Sequence, residues 1–343
     1  MTVKHTVHLN TRDGQSVSFQ CGEDEDLVSA AAKAAITLPS TCRSGTCGTC
    51  SGTCSKGDYA LSSHSTAALS AEQAEAGGIL MCCTHPKGDL VVEVPTDLAH
   101  IMAGPAPELE CTVVAIEDLG GQVMRLEIKA VEGGASFEPG QYMELIIPGS
   151  DTSRAYSLSN APNWDGAFEF IIRLQPNGKF STWLKDVAKI GDKIHARGPQ
   201  GSFVLQAGSL NPRRFVAGGT GLAPMLSMLR QMAAFGEMND AHLYLGVNTE
   251  DDLFGQAQLD ELKSLLPNLR IDICVWKAKD GWHGFTGTPA DALKRDLKND
   301  LAKGLLPETY LCGPPGLVDA TERAVTEMGV AMSSIFSEKF LPS

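Results

Sequence analysis

Cysteines at positions 42, 47 and 50, in the pattern Cys42-x4-Cys47-x2-Cys50, with Cys82 further on, imply chemistry most directly in this chain. The spacing is that of a plant-type [2Fe–2S] cluster held by four thiolates. Three ligands from one short loop must converge on one side of a compact cluster. Gly45 and Gly48 allow the positive φ that such a loop needs. Ser44, Thr46 and Thr49 are small enough for backbone N–H groups to approach sulfur and help set the potential. Zinc is the other reading, but zinc ribbons tend to use paired C-x2-C units, and here the second pair is missing. Clusters of this type usually take their fourth ligand after an apolar run. Ile79-Leu80-Met81 leads to Cys82, which is the reading adopted, with the adjacent Cys83 as neighbour and alternative. Cys21, Cys54, Cys83, Cys111 and Cys274 read as small buried hydrophobes.

A second group is Arg154-Ala-Tyr156-Ser157-Leu-Ser-Asn160, followed by Gly178-Lys179-Phe180-Ser181. An aromatic such as Tyr156 can stack on an isoalloxazine, and Ser157 can hydrogen-bond near the flavin N5, where hydride arrives. Arg154 suits pyrophosphate oxygens. Gly178 to Ser181 offers backbone N–H groups and a hydroxyl at a helix start, a phosphate site. Alone, these residues equally describe a barrel strand and an ordinary capped helix. Their place between a cluster motif and a nucleotide loop favours flavin.

That nucleotide loop is Gly218-Gly219-Thr220-Gly221-Leu-Ala-Pro224, preceded by the short strand Arg214-Phe-Val-Ala217 and followed by a helix. Strand, glycine-rich turn and helix bring a pyrophosphate onto a helix N-terminus, and Pro224 suits a first turn. Met225, Leu226, Met228, Leu229 and Met232 read as core. A second turn, Tyr310-Leu311-Cys312-Gly313-Pro314-Pro315-Gly316, is placed to lie under a nicotinamide, with Cys312 nearest the hydride path or, equally simply, a buried cysteine at a strand end. After the strand His242–Val247 come Asn248-Thr249-Glu250-Asp251-Asp252: three carboxylates and no arginine or lysine for a 2′-phosphate. The expected donor is NADH.

The elements that must position these groups fall into segments. The chain has 343 residues, 43% hydrophobic and 20% charged, enough for two or three domains with real cores. Residues 1–100 read as a β-rich unit: alternating Val3, His5, Val7 and Leu9, a turn at Asp13-Gly14, then Val17, Phe19 and Cys21. Asp24 and Asp26 are candidate caps for a helix with Leu27, Ala30, Ala31 and Ala34 on one face. The Cys/Gly/Ser/Thr-rich stretch that follows reads as irregular, and a strand is expected at Leu90–Val94. Residues 101–109, with glycine and two prolines, read as a linker that lets the first domain swing. Residues 110–207 read as a small antiparallel β-barrel, and residues 208–343 as an α/β domain with a parallel sheet. The net charge of −13 argues against nucleic acid or an anionic membrane as partner; it serves solubility or docking to a basic patch. Met1 to Asn10 lacks signal-peptide character, and no run reaches the ~18 apolar residues of a membrane span. A cytoplasmic location is expected, where ten cysteines point to metal binding or burial, not disulfides.

With the three motifs in this order, the chain resembles the reductase components of bacterial multicomponent oxygenases. The resemblance covers essentially its whole length. It implies a multi-domain protein: a β-grasp-like [2Fe–2S] ferredoxin domain, an antiparallel β-barrel for FAD, and an α/β parallel-sheet domain for NAD. Electrons would pass from NADH to FAD to the cluster held by Cys42, Cys47, Cys50 and Cys82, then to an oxygenase component. Gly246-Val-Asn-Thr-Glu250, Ile273-Cys-Val-Trp276 and Glu338-Lys-Phe-Leu-Pro342 resemble the branch serving soluble methane monooxygenases, which implies a di-iron hydroxylase as partner and admits a small regulatory protein. Reductases of Rieske aromatic-ring dioxygenases share the architecture and are the alternative; a ferredoxin-like carrier or redox sensor is the alternative of another class. In this family an aromatic near the C-terminus can lie by the flavin, and Phe340 is the candidate by position.

Overall fold

The computed structural model describes residues 3–40, 42–133 and 136–340. The chain forms two compact units, the first ending at Ala106 and the second running Pro107–Phe340.

In the first unit, alternating apolar residues pair Lys4–Thr11 with Ser16–Gly22, setting Val7 opposite Phe19 and Leu9 opposite Val17. Gly14 makes the turn at φ 73°, a conformation glycine adopts without strain. Asp26, and not Asp24, caps the helix Leu27–Lys33, its carboxylate accepting from the Ser29 N–H at 2.9 Å. The helix buries Leu27, Val28, Ala30 and Ala31. Ala34 is exposed, because the helix has ended there. Leu90–Val94 enters the sheet parallel to the first strand, and Ser51–Lys56 and Gly78–Leu80 extend it. A five-stranded mixed sheet with one packed helix is the β-grasp arrangement. The Cys/Gly/Ser/Thr-rich stretch is irregular only through Cys50. Ser51–Lys56 is a strand because its backbone finds partners on both sides, which overrides weak propensity. Cys54 is half-buried on that strand, unlike the other four cysteines read as buried. The expected 101–109 linker is shorter at both ends: Ile101 closes the helix Leu98–Ile101 and is fully buried, and Glu108 starts a strand.

In the second unit, six antiparallel strands run in the order Ser153–Ser157, Tyr142–Ile146, Lys193–Gln200, Glu108–Asp118, Val123–Ala130, Ala167–Arg173. The first and last meet at the Leu158–Phe170 bridge, with Asn160 Oδ1 accepting from Glu169 N at 3.0 Å just beyond it, and so close the barrel. Its interior is packed with Val113, Leu126, Phe168, Phe170, Phe180 and Ile194.

The remaining sheet is wholly parallel, in the order Phe285–Thr286, Leu269–Val275, Ala241–Val247, Arg213–Gly218, Glu308–Gly313, Ile335–Lys339. Strand order reverses at the central Arg213–Gly218, and such sheets usually take their ligand in the crevice outside the carboxyl end of the strand where this happens. The helix Leu222–Ala234 packs on this strand with Met225, Leu226, Met228, Leu229 and Met232 fully buried. None of the described helices is long and apolar enough to cross a membrane.

Candidate active site and cluster loop

The loop after the first helix gathers sulfur in two pairs. Cys50 Sγ lies 3.2 Å from Cys82 Sγ, and Cys42 and Cys47 share a thiol hydrogen bond. Ser44 N and Thr46 N donate to Cys42 Sγ at 3.4 and 3.3 Å, and the backbone of Gly45 donates to Cys82. Two thiol pairs ringed by backbone donors fit a two-iron cluster with four thiolates. Gly45 has φ 70°, and a Cβ there would lie 2.6 Å from Cys83 Sγ; the tight loop admits no side chain. Cys83 Sγ sits 3.7 Å from Cys82 Sγ and 3.9 Å from the Ser63 carbonyl. Burial opposes ionisation of Cys42, but hydrogen bonds from Thr46, Ser44 and Cys47 overcome it and bring the thiol down to about 6. Cys82 is pushed up by its hydrogen bond to Cys50 and by burial; ligation displaces such protons.

On the barrel's edge strand Ser153–Ser157, Arg154 and Tyr156 are two residues apart and share a face. The Tyr156 ring lies 5.0 Å from Phe180, which in turn lies 5.3 Å from Trp183. Phe180, expected at the cofactor, is instead buried in the barrel core, where it supports Tyr156. Ser181 is likewise turned inward: its hydroxyl accepts from Gln175 N at 2.8 Å. Gly178 caps the short helix Lys179–Thr182, whose first-turn N–H groups have no partner within the helix. A stacking ring, a guanidinium and a helix start together fit a flavin with its pyrophosphate.

The nucleotide loop and the second turn touch through backbone. A Cβ on Gly221 would lie 2.2 Å from the Cys312 carbonyl oxygen, and one on Gly313 2.9 Å from Gly218 N. A Cβ on Gly218 would meet Pro314 Cδ at 2.7 Å. Only glycine allows this approach, and Gly219 and Thr220 in the same loop stay partly exposed. Cys312 is fully buried, its thiol pushed up by burial and by Glu338, so its side chain belongs to the sheet and the turn backbone faces the crevice. Phe340 packs partly buried against the nucleotide-domain core, its N–H donating to the Gly313 carbonyl at 2.7 Å.

Three residues at these sites escaped the sequence reading. Glu338, on the last strand, receives a hydrogen bond from Ser157 Oγ at 3.4 Å. Burial pushes its carboxyl up to about 7, with Ser157 pulling the other way. Arg173, at the end of a barrel strand, brings Nη2 within 3.8 Å of a Cβ position on Gly219. Lys279 brings a cation to the carboxylates that follow the strand Ala241–Val247: its Nζ lies 2.8 Å from Asp251, and its N–H donates to Glu250 Oε1 at 2.7 Å. Glu250 Oε2 is buried without a hydrogen-bond partner. The Glu338-Lys-Phe segment was a visible signal for the first; Arg173 and Lys279 are brought in only by the fold.

Fold and site together define a three-part iron–sulfur flavoprotein oxidoreductase. Three family models match in series: the 2Fe-2S iron-sulfur cluster binding domain over residues 10–87, the oxidoreductase FAD-binding domain over 110–205, and the oxidoreductase NAD-binding domain over 215–323. The chain is 35% identical to the anthranilate 1,2-dioxygenase electron transfer component of Acinetobacter baylyi, over 99% of this chain and 98% of that one. It is 36% identical to methane monooxygenase component C of Methylosinus trichosporium, over 88% and 89%. The crystal structure of an Amycolatopsis cytochrome P450 reductase matches with a TM-score of 0.72 at 30% identity, over 98% and 99%. This chain belongs to the family of electron-transfer reductase components of multicomponent oxygenases.

Proposed function

We propose that this chain takes electrons from NADH and delivers them to the di-iron hydroxylase of a soluble methane or related hydrocarbon monooxygenase. The labour divides among a ferredoxin domain over 1–100, a flavin barrel over 110–207 and a nucleotide domain from 208 onward. The observation that carries the reductase reading is the backbone contact of the Gly221 and Cys312 turns beside the flavin strand, joined to it by Ser157 and Glu338. When bound, the flavin accepts hydride and releases electrons singly, chemistry that belongs to the cofactor. Cys42, Cys47, Cys50 and Cys82 hold the cluster. Arg154 and the start of the Lys179–Thr182 helix bind the flavin pyrophosphate, and Tyr156 stacks on the ring. Gly218 to Gly221, with Gly313 and Pro314, receive the nicotinamide nucleotide, and Glu250 Oε2 accepts from its ribose. In the bound complex the single Ser157 proton turns from Glu338 toward N5, and Glu338, holding its own proton, needs no donor from Ser157.

The choice of a di-iron partner rests on the segments Gly246 to Glu250, Ile273 to Trp276 and Glu338 to Pro342. Identity of 35% over 99% of the chain to a dioxygenase component favours a second reading, a Rieske aromatic-ring dioxygenase. Reconstitution separates them. The protein, NADH and dioxygen are mixed with a purified di-iron hydroxylase or a purified Rieske oxygenase, and product is measured per NADH consumed. Tight coupling with the hydroxylase alone is expected; coupling with the Rieske enzyme alone moves the protein to the dioxygenase branch. In a carrier or sensor, NADH alone would leave both flavin and cluster in their oxidised state.

A further inference from the structure

We infer that Ser227 and Arg230 are positioning residues: they clamp the helix that carries the nucleotide loop onto the flavin motif, and so set the distance over which hydride moves. The inference rests on the proposed NADH-to-flavin reaction and names residues outside its contacts.

The helix Leu222–Ala234 begins directly after Gly221. Ser227 and Arg230 are three residues apart on it and so share a face. Ser227 is fully buried. A helical serine commonly bonds back to the carbonyl four residues earlier, but Ser227 Oγ donates across to the Asn160 carbonyl at 2.7 Å. Arg230 Nη1 donates to the Ser159 carbonyl at 3.0 Å and to Glu169 Oε1 at 2.6 Å. Its Nη2 donates to Glu261 at 3.0 Å on the next helix. Glu169 also accepts from Ser159 Oγ at 2.8 Å and from Arg125 Nε at 2.6 Å.

The barrel partners of this clamp are confined to one place. Ser159 and Asn160 follow Tyr156-Ser157 by two and three residues. Glu169 lies on the strand they bond to, through Ser159 N to the Glu169 carbonyl at 2.8 Å and Glu169 N to Asn160 Oδ1 at 3.0 Å. On the other side, Gly221 and Ser227 are separated by about 9 Å of rigid helix at 1.5 Å per residue. The clamp therefore ties the end of the flavin motif to the start of the nucleotide loop through one short, stiff lever.

Stability alone does not call for this arrangement. A buried ion pair is often no better for stability than apolar residues of similar volume, and the helix already buries six large apolar side chains, Leu222, Met225, Leu226, Met228, Leu229 and Met232. Apolar contacts allow sliding, whereas hydrogen bonds to two consecutive carbonyls fix a position along the strand. Positional control matters for hydride transfer, where a displacement of about 1 Å can cost a hundred-fold in rate.

The test is anaerobic stopped-flow reduction of the flavin by NADH and by NADH deuterated at the transferred position, in the full-length holoprotein. For Ser227→Ala the limiting reduction rate is expected to fall about ten-fold, and for Arg230→Met about a hundred-fold. FAD content and NADH dissociation constant should stay near those of the unmodified protein, while the melting midpoint should fall for Arg230→Met, which leaves buried Glu169 short of one guanidinium, and much less for Ser227→Ala. The long-wavelength charge-transfer absorbance of the NADH complex should weaken in step with the rate, and Arg230→Lys should recover part of both. Should Arg230→Met fail to fold, Ser227→Ala, which removes one hydroxyl, still decides. Unmodified protein whose flavin NADH cannot reduce would sink the proposed function and this inference with it. Normal reduction in the unmodified protein and both variants, or slowing that only tracks lost FAD, overturns the positioning role alone.

Discussion

Ser157 and Glu338 are 181 residues apart in sequence, and the serine hydroxyl donates to the carboxylate across 3.4 Å. The contact joins the flavin strand of the barrel to the last strand of the parallel sheet, and it puts a carboxyl pushed up to about 7 at their junction. Below that pH the group holds its proton; above it, a buried charge must be borne.

Flavin reduction by NADH should therefore fall as pH rises through about 7, and Glu338→Gln should flatten the profile. The stability sign follows from linkage. The folded state keeps this proton to a higher pH than the unfolded chain, so stability declines from the ordinary carboxyl value of 4.5 up to about 7. Melting curves of Glu338→Gln should lack that decline. A profile unchanged by the substitution would remove Glu338 from the reaction.

The neighbouring cysteines make a paired prediction. Cys82→Ser should abolish the visible cluster absorbance and its EPR signal while NADH still reduces an artificial acceptor through the flavin. Cys83→Ser should keep a full cluster, since Cys82 Sγ is the one 3.2 Å from Cys50. The reverse pattern would assign the fourth iron ligand to Cys83.

The ion pair beside the carboxylates Glu250 to Asp252 makes a prediction about coenzyme choice. Lys279 Nζ is engaged by Asp251 at 2.8 Å. Asp251→Asn should release the ammonium for a 2′-phosphate, a charge-assisted contact worth about 1.4 kcal/mol, or about ten-fold in the KM for NADPH. The KM for NADH should hardly change. Steady-state kinetics with both coenzymes check this, and an unmoved KM for NADPH would place the specificity elsewhere.

Gly221→Ala tests the contact between the two turns. Its Cβ would stand 2.2 Å from the Cys312 carbonyl, and forcing a methyl into packed structure costs about 1–3 kcal/mol. NADH-dependent flavin reduction should drop by about a hundred-fold as the turns part, with FAD retained and the cluster still reducible by dithionite. Normal reduction would mean that the turns need not touch.

Much of this was legible in the sequence, for identifiable reasons. Cysteine spacing and glycine-rich turns are local, so Cys42, Cys47, Cys50 and Gly218 to Gly221 declare themselves without a fold. The hairpin and the Met/Leu helix follow from periodicity. The direction of a side chain inside a short helix does not: Phe180 and Ser181 sit among apparent ligands yet face inward. Residues that serve a site only through long-range packing, such as Lys279 and Arg173, leave no trace in spacing. Nor did the carboxylate of Glu338, whose proton affinity comes from burial by elements far away in sequence. The linker was misjudged at its edges because glycine and proline mark where chain turns, not where Ile101 packs or Glu108 pairs.

The barrel's closure at one bridge, Leu158 to Phe170, has a mechanical meaning. Past that bridge side chains take over from the backbone ladder: Ser159 Oγ donates to Glu169 at 2.8 Å, Asn160 Oδ1 accepts from Glu169 N at 3.0 Å and Asn160 Nδ2 donates to the Ala167 carbonyl at 2.8 Å, so the seam that begins one residue after Ser157 is stitched by side chains. The strand that offers Tyr156 and Arg154 to a ligand is thus also the clasp of the container. A ligand that binds this closed form stabilises it by mass action. Amide exchange along Ser153–Ser157 should therefore slow when FAD binds.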